Sequence, residues 1–300
     1  MRVISIIIFA FISLNLTAYA DNQAPLTPSE TIKYPTEEEF LDSITPTETS
    51  PLEDKVLNQK KYSNLPNFIT LHDINYLLPY YHTQSPYKAV YEGNTPEQQS
   101  VMQTEFKGQF SVEVPIIHDL SLNASYTQLV FWQVYAHSQY FRETNYEPTI
   151  YVNYHLYRNW LLSAGFDHQS NGRGGEYERS WNRMIGSAQF SGKHWFTKLD
   201  VWGLVAQGES SDLHNPDIEK YLGHERITLG YKIADFVVAL EVQNIEGGFE
   251  RGSIIASASY PIANQINLYT QYFNGYGQSL IEYNHPTQGF GVGISFNNWL

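Results

Sequence analysis

Residues 253–260 read SIIASASY and residues 289–296 read GFGVGISF. In both, every second residue is apolar. Ile254, Ala256, Ala258 and Tyr260 alternate with Ser253, Ser257 and Ser259, and Phe290, Val292, Ile294 and Phe296 alternate with Gly289, Gly291, Gly293 and Ser295. Ile227, Leu229, Tyr231 and Ile233 oppose Arg226, Thr228, Gly230 and Lys232 in the same way. Successive residues of a strand point to opposite faces, so each stretch makes a strand with one apolar face and one polar or small face. About twelve such strands follow from Leu71 onward, beginning near Asn75, Thr104, Ser121, Phe141, Trp160, Ser180, Trp195, Leu222, Phe236, Gly252, Ile266 and Gly289. Their connections alternate in length. Long ones run near 83–103, 171–179, 206–220, 243–250 and 275–288, and short ones lie near His118, Arg158, Gly192, Ala234 and Ala263. The connection at Ser138 is short although it falls on the long-loop side. An even number of dyad strands with long loops at one end and short turns at the other predicts an all-β fold, a twelve-stranded antiparallel transmembrane β-barrel.

Composition agrees. Residues 1–20 read as a secretory signal, with Arg2 as its basic start, an apolar run from Val3 to Phe11 and Ala18-Tyr19-Ala20 as cleavage site. There is no cysteine, so neither a lipoprotein anchor nor a disulfide framework is available. Losing the signal removes one arginine and takes the formal charge from −13 to −14, which argues against nucleic acid as a partner. No later stretch has the run of about 18 apolar residues that a helical span needs. Residues 21–68 hold six of the 14 prolines, and nine acids against four lysines. They are expected to form an acidic, largely disordered periplasmic arm, with residues 69–300 as the barrel and both termini in the periplasm. Trp132, Trp160 and Trp195 fall near strand ends, where barrels carry aromatic girdles.

One strand carries chemistry on its apolar face. His168 and Ser170 share parity with Trp160, Leu162, Ala164 and Phe166, while Ser163, Gly165 and Asp167 take the other face. A base and a hydroxyl turned toward lipid are badly placed for a pore and well placed to attack a lipid. Serine needs a base to become a nucleophile, and Cβ atoms two residues apart on a strand lie about 6.5–7 Å from each other. The base in turn needs a partner that selects its tautomer. Asn182, two residues into the next strand at similar height, shares the outward parity of Met184, Ala188 and Phe190. An asparagine orients the imidazole without adding a charge on the lipid side. Gln128 also faces outward, with Val130, Trp132 and Val134, where an unpaired amide is costly.

The segment GFDHQSNGRGGEYERSWNR, residues 165–183, closely resembles the active-site region of the outer-membrane phospholipase A family, which carries G-x-x-H-x-S-N-G followed by R-S-W-N-R. Ser125-Tyr126-Thr127-Gln128, the stretch FRETNYEP from Phe141, Leu268-Tyr269-Thr270-Gln271 and the stretch NGYGQSLIEYN from Asn274 are similar to further family segments. The resemblance covers about residues 71–300. It implies a phospholipase that hydrolyses sn-1 and sn-2 acyl esters of phospholipids and lysophospholipids. In it Ser170 is nucleophile, His168 general base, Asn182 the orienting residue, and the Gly172 amide an oxyanion donor. It also implies a calcium-bound homodimer, with Gln128 at the dimer interface, the Arg173 carbonyl as a calcium ligand, and Ser138 as a ligand given by the partner. Where the family often has a serine as third protein ligand, this chain has Glu178, whose carboxylate suits calcium; Glu176 lies nearby. A ligand set split between two copies implies that a monomer is idle and that dimer formation completes the site. Two other functions compete with this one. A passive pore or structural barrel would place its polar cluster in the lumen, and a lipopolysaccharide deacylase would need neither Gln128 nor a trans ligand. His224-Glu225 lacks the second histidine of a zinc motif, and no G-x-S-x-G elbow is present.

Overall fold

The computed structural model describes residues 69–117, 121–157, 159–205, 214–247 and 250–297. The expected signal, the acidic arm and Trp299-Leu300 lie outside them. Twelve long strands follow one another: β1 (Tyr76–Thr83), β2 (Thr104–Ile117), β3 (Leu122–Trp132), β4 (Phe141–Tyr157), β5 (Trp160–Ser170), β6 (Ser180–Ser191), β7 (Trp195–Leu204), β8 (Glu225–Ile233), β9 (Phe236–Gln243), β10 (Ser253–Ala263), β11 (Ile266–Gly275) and β12 (Thr287–Ser295). Each pairs antiparallel with its neighbours in sequence, and β12 returns to β1 with Gly289 opposite Thr83 and Ser295 opposite Tyr76. The sheet is therefore closed. A two-residue stretch, Thr70–Leu71, adds to β2 opposite Glu113 and Val112. Because β1 begins and β12 ends at the rim of the short turns, both ends of the described chain lie at that rim.

The faces are sorted as lipid demands. Tyr154, Met184, Ile262 and Phe110 are more than half exposed, whereas Glu105, Lys107, Arg142, Glu143 and Asp167 are buried. Charge turned to the lipid midplane costs about 2–4 kcal/mol per Arg or Lys, and a polar lumen spares these side chains that cost. Aromatic residues gather at both rims. Trp160 meets Phe190 and Trp195 meets Tyr231 at the short-turn end, while Trp132 stacks on Phe141 at the other.

The lumen combines packed side chains with open space. Tyr76, Leu78, Tyr81, Phe131 and Tyr269 form an apolar cluster on the inner wall. The Lys107 ammonium sits within it, 4.7 Å from the Tyr81 ring centre and 2.7 Å from Gln271 Oε1. Two cavities of about 260 and 180 Å³ open beside the cluster, the smaller lined in part by Tyr76, Lys107 and Tyr269. The alternate glycines of β12 make room for the cluster: a Cβ on Gly289 would lie 2.2 Å from the Tyr81 hydroxyl, and one on Gly291 2.6 Å from its ring.

The long loops cap the other rim. The connection after β1 carries a short helix α1 (Lys88–Tyr91), and that before β8 carries α2 (Ile218–Leu222). Leu222 is thus helical and β8 begins at Glu225, later than the alternation predicted. Ile218 and Leu222 stand one turn apart and bury against Trp181, Trp202, Leu280 and Tyr283, and this apolar contact holds the segment as a helix. We expect Gly289→Ala to lower barrel stability by about 1–3 kcal/mol through overpacking against Tyr81. The urea midpoint of the refolded barrel checks this, and an unchanged midpoint would show that Tyr81 swings aside freely.

Candidate active site

β5 and β6 are paired residue for residue from Trp160↔Phe190 to Ser170↔Ser180, which sets His168 directly opposite Asn182. Their neighbours Asp167, Trp181 and Arg183 are buried in the lumen, while Phe166 and Met184 are exposed. His168 and Asn182 therefore stand on the lipid-facing wall. His168 Nδ1 donates to Asn182 Oδ1 at 2.7 Å. An amide oxygen only accepts, so in the neutral ring this bond selects the tautomer with the proton on Nδ1. Ser170 ends the same strand two residues on, on the same face. No hydrogen bond joins its hydroxyl to His168 among the described residues; such contacts are often long in the unliganded enzyme and tighten with substrate.

The loop from 171 to 179 is tied down from below. The Asn171 side chain, 4% exposed, accepts from the amides of Arg173 (3.3 Å) and Arg179 (3.0 Å) and donates to the Tyr177 carbonyl (2.9 Å). Gly172 has φ +63°, and a Cβ there would lie 2.8 Å from the Tyr146 ring, so only glycine fits both its backbone and its space. Arg173 reaches inward, donating to Glu143 Oε2 at 2.9 Å and to the Arg142 carbonyl. Glu178 follows the turn Gly175–Tyr177, and its carbonyl and that of Glu176 accept from Arg179 Nη1 at 2.7 and 2.8 Å. Neither of these two carboxylates has an ion-pair partner among the described residues. Ser138 lies in the loop after β3, where its carbonyl accepts from Gln99 Nε2 at 2.5 Å; it does not join the 171–179 loop of its own chain. Among the described residues no three His, Cys, Asp or Glu side chains converge on a common point. Gln128 is mid-strand on β3, opposite Phe110 and Tyr146, and its Oε1 accepts from the Tyr126 hydroxyl at 3.3 Å.

Sequence reasoning missed the charge cluster under this loop. Trp132 pairs with Phe141 and Phe131 with Glu143, so Arg142 is the extra residue of a bulge. The bulge puts Arg142 and Glu143 both inside, where simple alternation would turn one of them outward. The Arg142 guanidinium grips Glu105 through Nε and Nη2 and reaches Glu282 Oε1 (3.0 Å) and the Tyr91 hydroxyl (2.9 Å) through Nη1. Burial pushes the Tyr91 phenol well above its ordinary range, so it stays a neutral acceptor. The signal lay in the sequence as Arg-Glu side by side at a strand start, but only the pairing register decodes it.

Fold and geometry together describe an integral membrane barrel that carries a bonded His–Asn pair on its lipid-facing wall. The phospholipase A1 family model matches residues 52–296. Phospholipase A1 of Escherichia coli K12 is 36% identical over 208 residues, 65% of this chain and 70% of that protein, and that of Salmonella typhimurium is 34% identical over 242 residues, 76% and 81%. Among solved structures, the calcium-bound dimer of the Salmonella typhi outer membrane phospholipase superposes with a TM-score of 0.73 at 30% identity, covering 82% of this chain and 98% of that one. Outer membrane phospholipase A from Escherichia coli gives 0.71 at 32%, covering 77% and 95%. The chain belongs to the phospholipase A1 family, an ester-hydrolysing family of outer-membrane barrels. Neither the passive pore nor the lipopolysaccharide deacylase accords with that membership.

Asn171→Ala removes three of the loop's anchors at once. We expect faster proteolysis between residues 172 and 178, with the barrel's urea midpoint altered by less than about 1 kcal/mol. Unchanged cleavage would mean that the Arg173–Glu143 pair alone holds the loop.

Proposed function

We propose that the protein hydrolyses the sn-1 and sn-2 acyl esters of phospholipids and lysophospholipids by a Ser-His-Asn mechanism, as a calcium-bound homodimer. The observation that carries this reading is the His168–Asn182 bond at 2.7 Å on the lipid-facing wall, on the face that Ser170 shares two residues further along the strand. Ser170 Oγ attacks the ester carbonyl as its proton passes to His168 Nε2. The Gly172 amide donates to the oxyanion. As the carbon–oxygen bond breaks, the imidazolium returns its proton to the leaving glycerol oxygen. Water then attacks the acyl-serine with His168 again as base, releasing the fatty acid. Throughout, Asn182 accepts from Nδ1 and holds the ring. Orientation by a neutral amide suits this face, since a carboxylate there would need its own compensation in lipid.

The oxygen donors present fit a hard cation. Glu178 has a carboxylate without an ion-pair partner among the described residues, and the Arg173 side chain is turned away into the lumen. Glu178 and the Arg173 carbonyl would hold calcium together with Ser138 of a second copy, and Glu176 is the nearby substitute. When bound, calcium supplies positive charge against the developing oxyanion. Dimerisation is supported by the calcium-bound dimer of the Salmonella typhi relative and by Gln128, a polar residue on the lipid-facing wall of β3 that an isologous interface would bury. The short-turn rim, where the described residues begin and end, is assigned to the periplasm, so that Ser170 stands near the outer leaflet.

The test is fatty-acid release from phosphatidylethanolamine in mixed micelles, with calcium and with chelator. Ser170→Ala is expected to lower release by at least about 10³-fold, His168→Ala by a similar factor, and Asn182→Ala by less. Chelation is expected to silence the wild type. Release that needs Ser170 but ignores chelator would remove the calcium ligands and keep the hydrolase. Separately, Glu178→Gln is expected to raise the calcium concentration for half-maximal release without changing the calcium-saturated rate by more than about threefold; an unchanged calcium requirement would remove Glu178 from the ligand set.

A further inference from the structure

The lumen side of the two site strands carries side chains that the proposed reaction does not use. On β5 and β6 they alternate with the reacting ones, so every outward pair has inward pairs above and below it. His168↔Asn182 is bracketed by Asp167↔Arg183 on one side and Gln169↔Trp181 on the other. Both inward pairs are bonded across the strands: Arg183 Nε donates to Asp167 Oδ1 at 2.5 Å, and Trp181 Nε1 donates to Gln169 Oε1 at 2.7 Å. A third strand joins them. Glu147 of β4 accepts from Arg183 Nη2 at 2.7 Å and from Gln169 Nε2 at 3.4 Å. The Arg183 guanidinium also stacks on Trp181, 4.2 Å from its ring centre.

The backbone shows why such bonding is needed there. Between β4 and β5 the register pairs Tyr146 with Ser170 and Thr149 with Asp167, but no pair is formed at the two positions between. The register sets Pro148 opposite His168, and proline has no N–H to give to a ladder. The strand bearing the base and the nucleophile is therefore open on its β4 side at the catalytic histidine. Side chains of Glu147, Gln169 and Arg183 span that opening from the lumen.

We propose that Asp167, Gln169, Arg183 and Glu147 are positioning residues, a lumenal clamp that holds His168 in bonding register with Asn182 on the opposite face of the wall. The proposal rests on the Ser-His-Asn reading above. The clamp touches neither lipid nor the reacting atoms, and acts through the backbone of β5 and β6. Loosening it lets His168 drift relative to Asn182 and Ser170, and a misplacement of about 1 Å at a reacting group costs about 10²-fold in rate.

The experiment uses the full refolded barrel with a lysophospholipid in micelles. Gln169→Met keeps the volume and removes the bonds to Trp181 and Glu147; Asp167→Asn weakens the hold on Arg183, and Asp167→Glu restores the charge. The first two are expected to lower kcat by about 10-fold to 100-fold with KM altered by less than about twofold, and Asp167→Glu to recover most of the loss. With Asn182→Ala as background, the partner that the clamp aligns is gone, and the same changes should cost less than about threefold. Unchanged kcat in a folded Gln169→Met barrel would overturn the proposal, as would a loss that persists in full without Asn182. Failure of both variants to fold would assign these residues to stability and overturn it equally. Ser170→Ala runs alongside: release that survives it would defeat the hydrolase reading itself, whatever the clamp variants do.

Discussion

In hydrocarbon a backbone N–H or C=O without a partner costs several kcal/mol, and strands meet that demand only by closing into a barrel. The rest of this structure depends on that constraint. Closure of β12 on β1 leaves no edge, and it divides every strand into a lipid side and a lumen side. Apolar residues face out, so the usual reason for burying them is inverted. What the barrel buries is charge. Arg142 with Glu105 and Glu282, Arg183 with Asp167 and Glu147, and Lys198 with Asp200 are enclosed pairs inside the wall. Removing one partner from such a pair typically costs about 3–5 kcal/mol, comparable to the loss of a large core side chain elsewhere. The lumen charges thus do the work of specification that an apolar core does in a soluble domain.

The same division separates stability from chemistry. A lipid-facing position contributes little to internal packing, so its residue can be chosen for reaction with lipid. A lumen position two side chains away is constrained by its ion pair. His168 and Asn182 are one kind, Asp167 and Arg183 the other, and they share two strands. The placement of the site near the loop rim adds a further freedom. In the proposed reaction loop 171–179 supplies the Gly172 amide from outside the ladder, while Asn171 and the Arg173–Glu143 pair fasten that loop to the lumen network.

Much of this was legible from alternation alone. Twelve strands, their order, the long and short ends, and the shared outward face of His168, Ser170 and Asn182 follow from period two, because a side chain's face depends only on its parity. The match of strand starts was close where an alternating run was unbroken, as in β10 and β12. It failed at Leu222, since Ile218 and Leu222 satisfy a helical spacing that a short apolar run does not distinguish from a strand. Parity also failed at Arg142, where one inserted residue in β4 turns two adjacent charges inward. The lumen clamp was hidden for a different reason. Its members lie on three strands and are joined by cross-strand register, and a single sequence carries no direct record of which residue stands opposite which.

Pro148 shows how these levels connect. In a sheet exposed to lipid an interrupted ladder leaves carbonyls and amides to be satisfied, so proline within a wall strand is a cost. Here the interruption falls opposite His168, where, in the proposed reaction, β5 also presents a base on its outer face. Local opening gives the histidine's strand latitude that a complete ladder would remove, and a bonded lumenal set limits that latitude. An enzyme embedded in its own substrate has no cleft walls to hold its base in place. Its only solid side is the lumen, and the order that the site requires has to be transmitted through a wall one strand thick.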